Sequence, residues 1–296
     1  MRLVSETAAI VYRALNKFST ELEPDGPWRW RCAVQNGTRL PIAASLEDDF
    51  LHLACRPDSI RQSACALERA LLGNNTLAGG VKLALNVSSG SLHLHTDIVI
   101  LEEKQLLDRL RWALDGFHDG HRLLKSTASR GSRAVAQAAA SGTGLGELLR
   151  EISWPSTERG PNDFSADLAA DSAPPASIRM SESGVVLGVE LVRANAMADA
   201  ARKALAVFLL TTSSTLRLVR AYATEVDGGF AFGVQVNLPA APASEEIDHA
   251  LAALSIAHRM CARETNVLLN DAVARFYLTA RDIPTTNDYQ SEQEEN

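Results

Sequence analysis

The chain has 296 residues, enough for one large domain or two ordinary ones, and 46% of them are hydrophobic. It can therefore bury a core without metals or disulfides. Aspartate and glutamate outnumber lysine and arginine by 36 to 29, which gives a formal net charge of −7. This balance argues against binding to nucleic acid or anionic lipid, because a negatively charged surface repels both.

The four cysteines, Cys32, Cys55, Cys65 and Cys261, form no CxxC pair. Three of them lie among alternating or helically spaced apolar residues, which predicts small core residues in a reducing compartment. The N-terminus lacks the continuous apolar stretch of a signal peptide, and no apolar run reaches the roughly 20 residues that span a bilayer. We therefore expect a cytoplasmic protein with no membrane association.

The first half begins with helically spaced apolar residues over 3–18, which predict a helix that ends before Pro24. Alternating residues then predict a hairpin of strands 28–34 and 40–46 around Asn36-Gly37. A third antiparallel strand is expected over 51–55. After it, the pattern predicts a helix over 59–73, a second hairpin with strands 81–87 and 92–101, and a long amphipathic helix from 102 toward 125.

The second half repeats this order with different residues, at a period of about 135 that pairs Phe50 with Val185 and Gly90 with Gly228. Its expected elements are an Ala-rich helix over 132–152, weak strands over 164–170 and 178–183, a strong strand over 185–192, a helix over 197–210, hairpin strands over 216–224 and 230–238, and a helix over 245–269.

The sequence thus predicts an α+β protein of two tandem units, each an antiparallel sheet with helices in the order helix, three strands, helix, two strands, helix. We expect the first unit over 1–126 and a divergent second unit over 127–281. Within the second unit, the Pro-, Gly-, Ser- and Asp-rich stretch 156–175 predicts a mobile loop. The acidic residues 282–296 predict a disordered tail.

This order of elements resembles the type III secretion chaperone fold, which YbjN-like proteins share in the TY-chaperone superfamily. The residues that carry the resemblance are the strand from Trp28 to Val34, the segment Leu46-Glu-Asp-Asp-Phe-Leu-His-Leu, the helix from Ile60 and the helix from Glu102. Members of that family are mostly small homodimers that bind extended client segments without hydrolysing nucleotide. The resemblance therefore implies a fused pseudo-dimer that is monomeric and holds an extended peptide or protein client.

No catalytic, metal or cofactor site is expected from the residue patterns. His93 and His95 share a strand face, and His52 lies on a strand expected nearby, but all three alternate with apolar residues as solvent-side positions do. The stretch Ser141 to Glu147 is glycine-rich but lacks the Lys-Ser/Thr of a P-loop. Asp48 and Asp49 fall where a hairpin should bend, so general acid-base chemistry is not expected of them.

Aromatic residues on two strands are the candidate partner-binding residues. Trp28 and Trp30 alternate with Arg29 and Arg31, and Phe230 and Phe232 form a similar apolar stripe in the second half. The tryptophans either fill the core or line a partner groove. Core packing is the favoured interpretation of the phenylalanines.

Two functional hypotheses follow. The first is a non-enzymatic chaperone or adaptor that binds an extended client segment, because sheet edges and apolar pockets can accept a peptide strand. The second is a structural or regulatory interaction module without chaperone activity. A groove lined by exposed apolar residues favours the first hypothesis, whereas charged edges and a sealed contact between the units favour the second.

Overall fold

Two six-stranded antiparallel sheets organise the computed structural model, which describes residues 2–36, 38–56, 62–100, 102–127, 144–168, 173–181 and 184–283. The first unit contains α1 (Arg2–Phe18), β1 (Ser19–Pro24), β2 (Arg29–Asn36), β3 (Thr38–Glu47), β4 (Phe50–Cys55), α2 (Ala64–Asn74), β5 (Lys82–Asn86), β6 (Ser91–Val99) and α3 (Glu103–Thr127). The second contains α4 (Leu145–Glu151), β7 (Ser156–Gly160), β8 (Asp163–Ala166), β9 (Ala176–Ser181), β10 (Gly184–Ala194), α5 (Asp199–Ser213), β11 (Arg220–Val226), β12 (Gly229–Leu238), α6 (Ser244–Val267) and α7 (Asp271–Ala280).

The two sheets have the same topology. Strands follow the order β1-β2-β3-β4-β6-β5 in the first sheet and β7-β8-β9-β10-β12-β11 in the second. Each unit therefore places four strands before its middle helix and two after it, so the predicted α+β fold of two similar units is confirmed. The predicted number of strands before the middle helix was wrong by one.

The additional strand was missed in each unit for a local reason. In the first unit β1 reads Ser-Thr-Glu-Leu-Glu-Pro and is mostly exposed, so its residues lack the apolar alternation that identifies a half-buried strand. In the second unit the additional strand is β7, which lies in the segment 156–175 that was expected to be a mobile loop, whereas β8 overlaps the weak strand predicted over 164–170. β7 is an exposed edge strand, and its polar sequence gave no periodic signal.

Other boundaries were corrected by the structure. The predicted helix over 59–73 begins at Ala64, because the side chain of Ser63 accepts a hydrogen bond from the Ala66 amide and so caps the helix. Most of the predicted helix over 132–152 and nearly all of the predicted tail lie outside the described residues, and α4 covers only the end of that helix. The helix predicted to run to residue 269 ends at Val267, and a separate helix, α7, follows it.

Each sheet packs one face against helices of its own unit. The first sheet lies against α3, which also packs on α1, and the second sheet lies against α6. Cys32, Cys55 and Cys261 are buried in these cores, whereas Cys65 is only partly buried, so the expectation of core cysteines was wrong for Cys65. Burial raises the pKa of Cys55 and Cys261 to about 12.

The middle helices connect the two units reciprocally. α2 packs on α5 and on β11 of the second unit, while α5 packs on β5 of the first. Such exchange of equivalent contacts is the relation found across a two-fold dimer interface, here formed within one polypeptide. The second face of each sheet is therefore partly covered by the other unit instead of being open to solvent.

Candidate functional site

The structure separates the two predicted tryptophans. Trp30 lies on β2 with its side chain 7% exposed, in the core with Cys32 and Val34. Trp28 is not on the strand but in the turn before it, with a φ of 59°, and its side chain is 40% exposed. Only Trp28 is therefore available to a partner without unfolding the core.

Arg29 and Arg31 are exposed on the outer side of β2, as their alternation with Trp30 predicted. The guanidinium of Arg31 forms an exposed ion pair with Asp25 at 2.8 Å. Exposed pairs of this kind contribute little to folding stability. Both arginines are accessible, but they do not converge with Trp30 on one binding face.

The predicted phenylalanines lie on one face of β12, with ring centroids 6.3 Å apart. Phe232 is buried, which agrees with core packing. Phe230 is half-buried, and the guanidinium of Arg202 lies 5.1 Å above its ring. Because Arg202 also donates a 2.8 Å hydrogen bond to Glu68 on α2, Phe230 lies beside a contact between the two units.

A buried polar cluster lies on the contact between the units. Lys82, at the start of β5, donates a hydrogen bond to Asp97 at 3.1 Å and another to the Leu216 carbonyl of the second unit. Asp97 also accepts a 2.8 Å hydrogen bond from the backbone amide of Leu218. The side chains of Lys82 and Asp97 are each 3% exposed. Although burial opposes ionisation of Asp97, the Lys82 ammonium and His52 hold its pKa below the usual value.

Arg220 occupies the equivalent position in the second unit. Lys82 is paired with His95 across β5 and β6, and Arg220 is paired with Gln235 across β11 and β12. Arg220 donates hydrogen bonds to the carbonyls of Leu77 at 2.5 Å and Val81 at 3.2 Å, both in the first unit. Each buried cation therefore reaches backbone oxygens of the opposite unit.

The two halves of this cluster differ in charge. The same strand registers place Asn237 at the position of Asp97 and Val186 at the position of His52. Burial lowers the pKa of Arg220 to about 9, but an arginine keeps its proton at neutral pH. The Oδ1 atom of Asn237 is buried, and no described residue donates a hydrogen bond to it. The carboxylate that neutralises Lys82 thus has an uncharged amide as its counterpart.

The three histidines considered in the sequence do come together, on β4 and β6. His52 Nδ1 lies 2.7 Å from Asp97 Oδ1, and His52 Nε2 lies 3.4 Å from His95 Nδ1. The His93 ring stacks on His95 with a centroid distance of 5.9 Å, and its Nε2 lies 3.1 Å from the Ser91 hydroxyl. The expectation that all three are solvent-side residues was wrong for His93, which is buried, and His52 and His95 are both partly buried.

Burial changes the titration of these imidazoles. It lowers the pKa of His95 to about 3, and the positive charge of Lys82 acts in the same direction. Burial also lowers the pKa of His93, again assisted by a nearby cation, Arg56. Both rings are therefore neutral at physiological pH. Within the described part of the chain, no group of three or more His, Cys, Asp or Glu side chains could hold a metal ion together.

A second candidate site is an exposed apolar stripe on α6, consisting of Ile256, Met260 and Val267. These side chains are 56%, 48% and 50% exposed, and their spacing of four and seven residues places them on one face of the helix. These three side chains span about 16 Å, since an α-helix rises about 1.5 Å per residue, and the exposed Arg263 lies on the same face between Met260 and Val267. Val273 and Phe276 on α7 are also exposed, and Phe276 is the most exposed of the large apolar side chains described.

The corresponding face of the first unit is polar. Buried positions align Leu106 with Ile247 and Leu110 with Leu251 on α3 and α6. This alignment places Asp115 at the position of Ile256 and Asp119 at the position of Met260. Sequence reasoning identified the helix but not this stripe, although a comparison of the two halves at these positions would have indicated it.

No helix among the described residues is long and apolar enough to cross a membrane. Comparisons with protein-family models, curated proteins and solved structures found no match for this chain.

Proposed function

We propose that this protein is a non-enzymatic chaperone or adaptor that binds a protein or peptide client, and that the client lies on the α6 stripe. The observation that carries the proposal is the replacement of Asp115 and Asp119 in the first unit by Ile256 and Met260 in the second. An exposed Ile or Met is ordinary by itself, but aligned apolar side chains where a related helix carries aspartates indicate a contact surface.

The free sheet edges are less suitable for the client. β1 carries Glu21, Glu23 and Pro24, and β7 is mostly exposed and polar. Charge and proline on an edge strand oppose the addition of another strand. We therefore place an extended client segment across α6, where about five residues at about 3.3 Å each would span the stripe.

The resemblance to secretion chaperones and the reciprocal contact between the units support the same proposal. A fused pseudo-dimer buries within one chain the contact that a homodimer makes between two. We accordingly propose a cytoplasmic protein that is monomeric when no client is bound. Light scattering tests this proposal, because it should give a mass near 31.9 kDa, whereas twice that value would contradict it.

The client test uses the tagged full chain to recover proteins from native lysate, followed by cross-linking and mass spectrometry. The double variant Ile256→Asp/Met260→Asp copies the first unit and should keep the fold, because both side chains are exposed. We expect it to lose client recovery and the cross-links to α6. Val87→Asp, at a position 51% exposed in the first unit, is the matched control and should retain both.

Trp28→Ala is a separate variant that tests the groove predicted in the sequence. If Trp28→Ala fails to recover the client while Ile256→Asp/Met260→Asp recovers as much of it as wild type does, the client binds at the turn before β2 and not on α6. Trp30→Ala is unsuitable for this test because it would leave a cavity in the core.

The second candidate function is a structural or regulatory interaction module without chaperone activity. It is favoured by the polar free edges and by the polar contact between the units, where Arg109 donates hydrogen bonds of 2.8 and 2.7 Å to both carboxylate oxygens of Glu246. A stable, folded partner that binds equally well to wild type and to the double variant would support this alternative. Recovery of an unfolded segment only by wild type would support the chaperone.

A further inference from the structure

The geometry of His52 and His95 resembles that of two ligands sharing one ion. Their facing nitrogens, Nε2 and Nδ1, are 3.4 Å apart. Zinc lies about 2.0–2.1 Å from histidine nitrogen, so two such ligands at a tetrahedral angle are separated by about 3.3–3.4 Å. The same separation also falls within the limit for a hydrogen bond between the two rings, although it is longer than usual.

Asp97 orients the first imidazole for this purpose. His52 directs Nδ1 at the Asp97 carboxylate, 2.7 Å away, so in the neutral ring this nitrogen carries the proton and Nε2 has the lone pair. The carboxylate is fixed in turn by the Leu218 amide and by Lys82. In many metal sites the ligating histidine donates its other ring N–H to a carboxylate, and this hydrogen bond fixes the orientation of the imidazole.

His95 is available as the second ligand because its Nδ1 faces His52 Nε2 from the neighbouring strand β6. The His52 side chain is 32% exposed, which leaves solvent access to one side of the pair. The Lys82 ammonium opposes the approach of another cation, and Asp97 offsets that charge. These features favour a readily exchanged ion over a permanently held structural one.

We propose that His52 and His95 form a two-histidine site for a divalent transition-metal ion of the Zn2+ and Ni2+ class, with water at the remaining coordination positions. This site is independent of the α6 stripe and of the client. It is specific to the first unit, because Val186 and Gln235 occupy the equivalent positions in the second. Neither of those side chains offers an imidazole.

The test is calorimetric titration of the untagged full chain with ZnCl2 and, separately, NiCl2. We expect one ion per chain, and a loss of affinity of at least about tenfold in both His52→Ala and His95→Ala. Asp97→Asn should weaken binding by about 10- to 100-fold, as loss of a supporting carboxylate typically does. His249→Ala, at a half-buried histidine outside the cluster, should bind within about twofold of wild type.

A second measurement does not depend on the folding of any variant. In proton NMR of wild-type protein, substoichiometric Ni2+ should broaden the ring signals of His52 and His95 before that of His249. Equal affinity in wild type, His52→Ala and His95→Ala would overturn the proposal. So would broadening that begins at His249, or the absence of measurable binding by wild type.

Discussion

Lys82 and Arg220 occupy equivalent positions at the start of β5 and β11, and each donates a hydrogen bond to a backbone carbonyl of the opposite unit. α5 packs on the strand that carries Lys82, and α2 packs on the strand that carries Arg220. The contact between the units therefore contains two buried cations, and its geometry depends on residues from both halves of the chain.

Removing only one partner of the Lys82–Asp97 pair should lower the free energy of unfolding strongly. Lys82→Met leaves the Asp97 carboxylate buried without its main countercharge, and we expect a loss of about 3–5 kcal/mol in the free energy of unfolding. Urea denaturation measures this change. The double variant Lys82→Met/Asp97→Asn should recover part of the loss, because the second unit already has Asn237 at the position of Asp97.

Arg31→Met is the matched control for that experiment. Its ion pair with Asp25 has side chains that are 71% and 42% exposed, so the change should cost less than about 1 kcal/mol. A similar small cost for Lys82→Met would show that the buried pair does not stabilise the contact between the units.

Stability should fall with acid in two stages. The folded-state pKa of His95 is lowered to about 3, so below the unfolded value near 6.5 the unfolded chain binds a proton that the folded chain does not. The free energy of unfolding should then decrease as pH falls from about 6.5. The pKa of Asp97 is also lowered in the folded protein. The ionised Asp97 carboxylate therefore stabilises the fold above the unfolded-state pKa near 3.9, and this stabilisation is lost as pH falls below that value.

Denaturation at several pH values separates these stages. Over pH 4–6, His95→Asn should reduce the slope of the free energy of unfolding against pH by up to about 1.4 kcal/mol per pH unit. This value corresponds to the one proton that the unfolded chain binds at His95 and the folded chain does not. An unchanged slope in that variant would show that His95 titrates normally in the folded protein. Asp97→Asn should reduce the slope mainly below pH 4.

Gly79 is required for the close approach of α3. Its φ is +71°, and a Cβ built on it would lie 2.4 Å from the Trp112 carbonyl oxygen. Gly228 has a similar φ of +77° but nothing within 4 Å of a Cβ. Gly228→Ala should therefore cost only the backbone strain, about 1–2 kcal/mol, and Gly79→Ala should cost about 1–3 kcal/mol more.

Thermal or urea unfolding of the two glycine variants checks this difference directly. Because the backbone conformations are nearly the same, subtraction isolates the steric contact with α3. Equal losses in the two variants would contradict the close packing of Gly79 against Trp112.

The cysteines should differ in reactivity. Cys65 is partly exposed, whereas Cys32, Cys55 and Cys261 are buried and have raised thiol pKa values, which disfavour the reactive thiolate. Maleimide labelling of native protein followed by peptide mass spectrometry should modify Cys65 first. Labelling of Cys55 or Cys261 at a comparable rate would indicate that the cores open frequently.

The amino-acid sequence by itself determined the order of the main helices and strands, because apolar periodicity and turn residues act over short distances. It also determined that the chain contains two similar units and that Cys32, Cys55 and Cys261 lie in cores. It did not reveal β1 and β7, since these edge strands are stabilised by pairing on one side and need no alternating apolar face.

Only the tertiary structure decided which polar residues are buried. Lys82, His93 and Arg220 alternate with apolar neighbours and so have the pattern of exposed strand positions, yet the other unit helps to cover the face on which they lie. The meeting of His52, His95 and Asp97 likewise depends on the pairing of β4 with β6. Such contacts join residues more than forty positions apart, where the local periodicity of a sequence carries no information about distance.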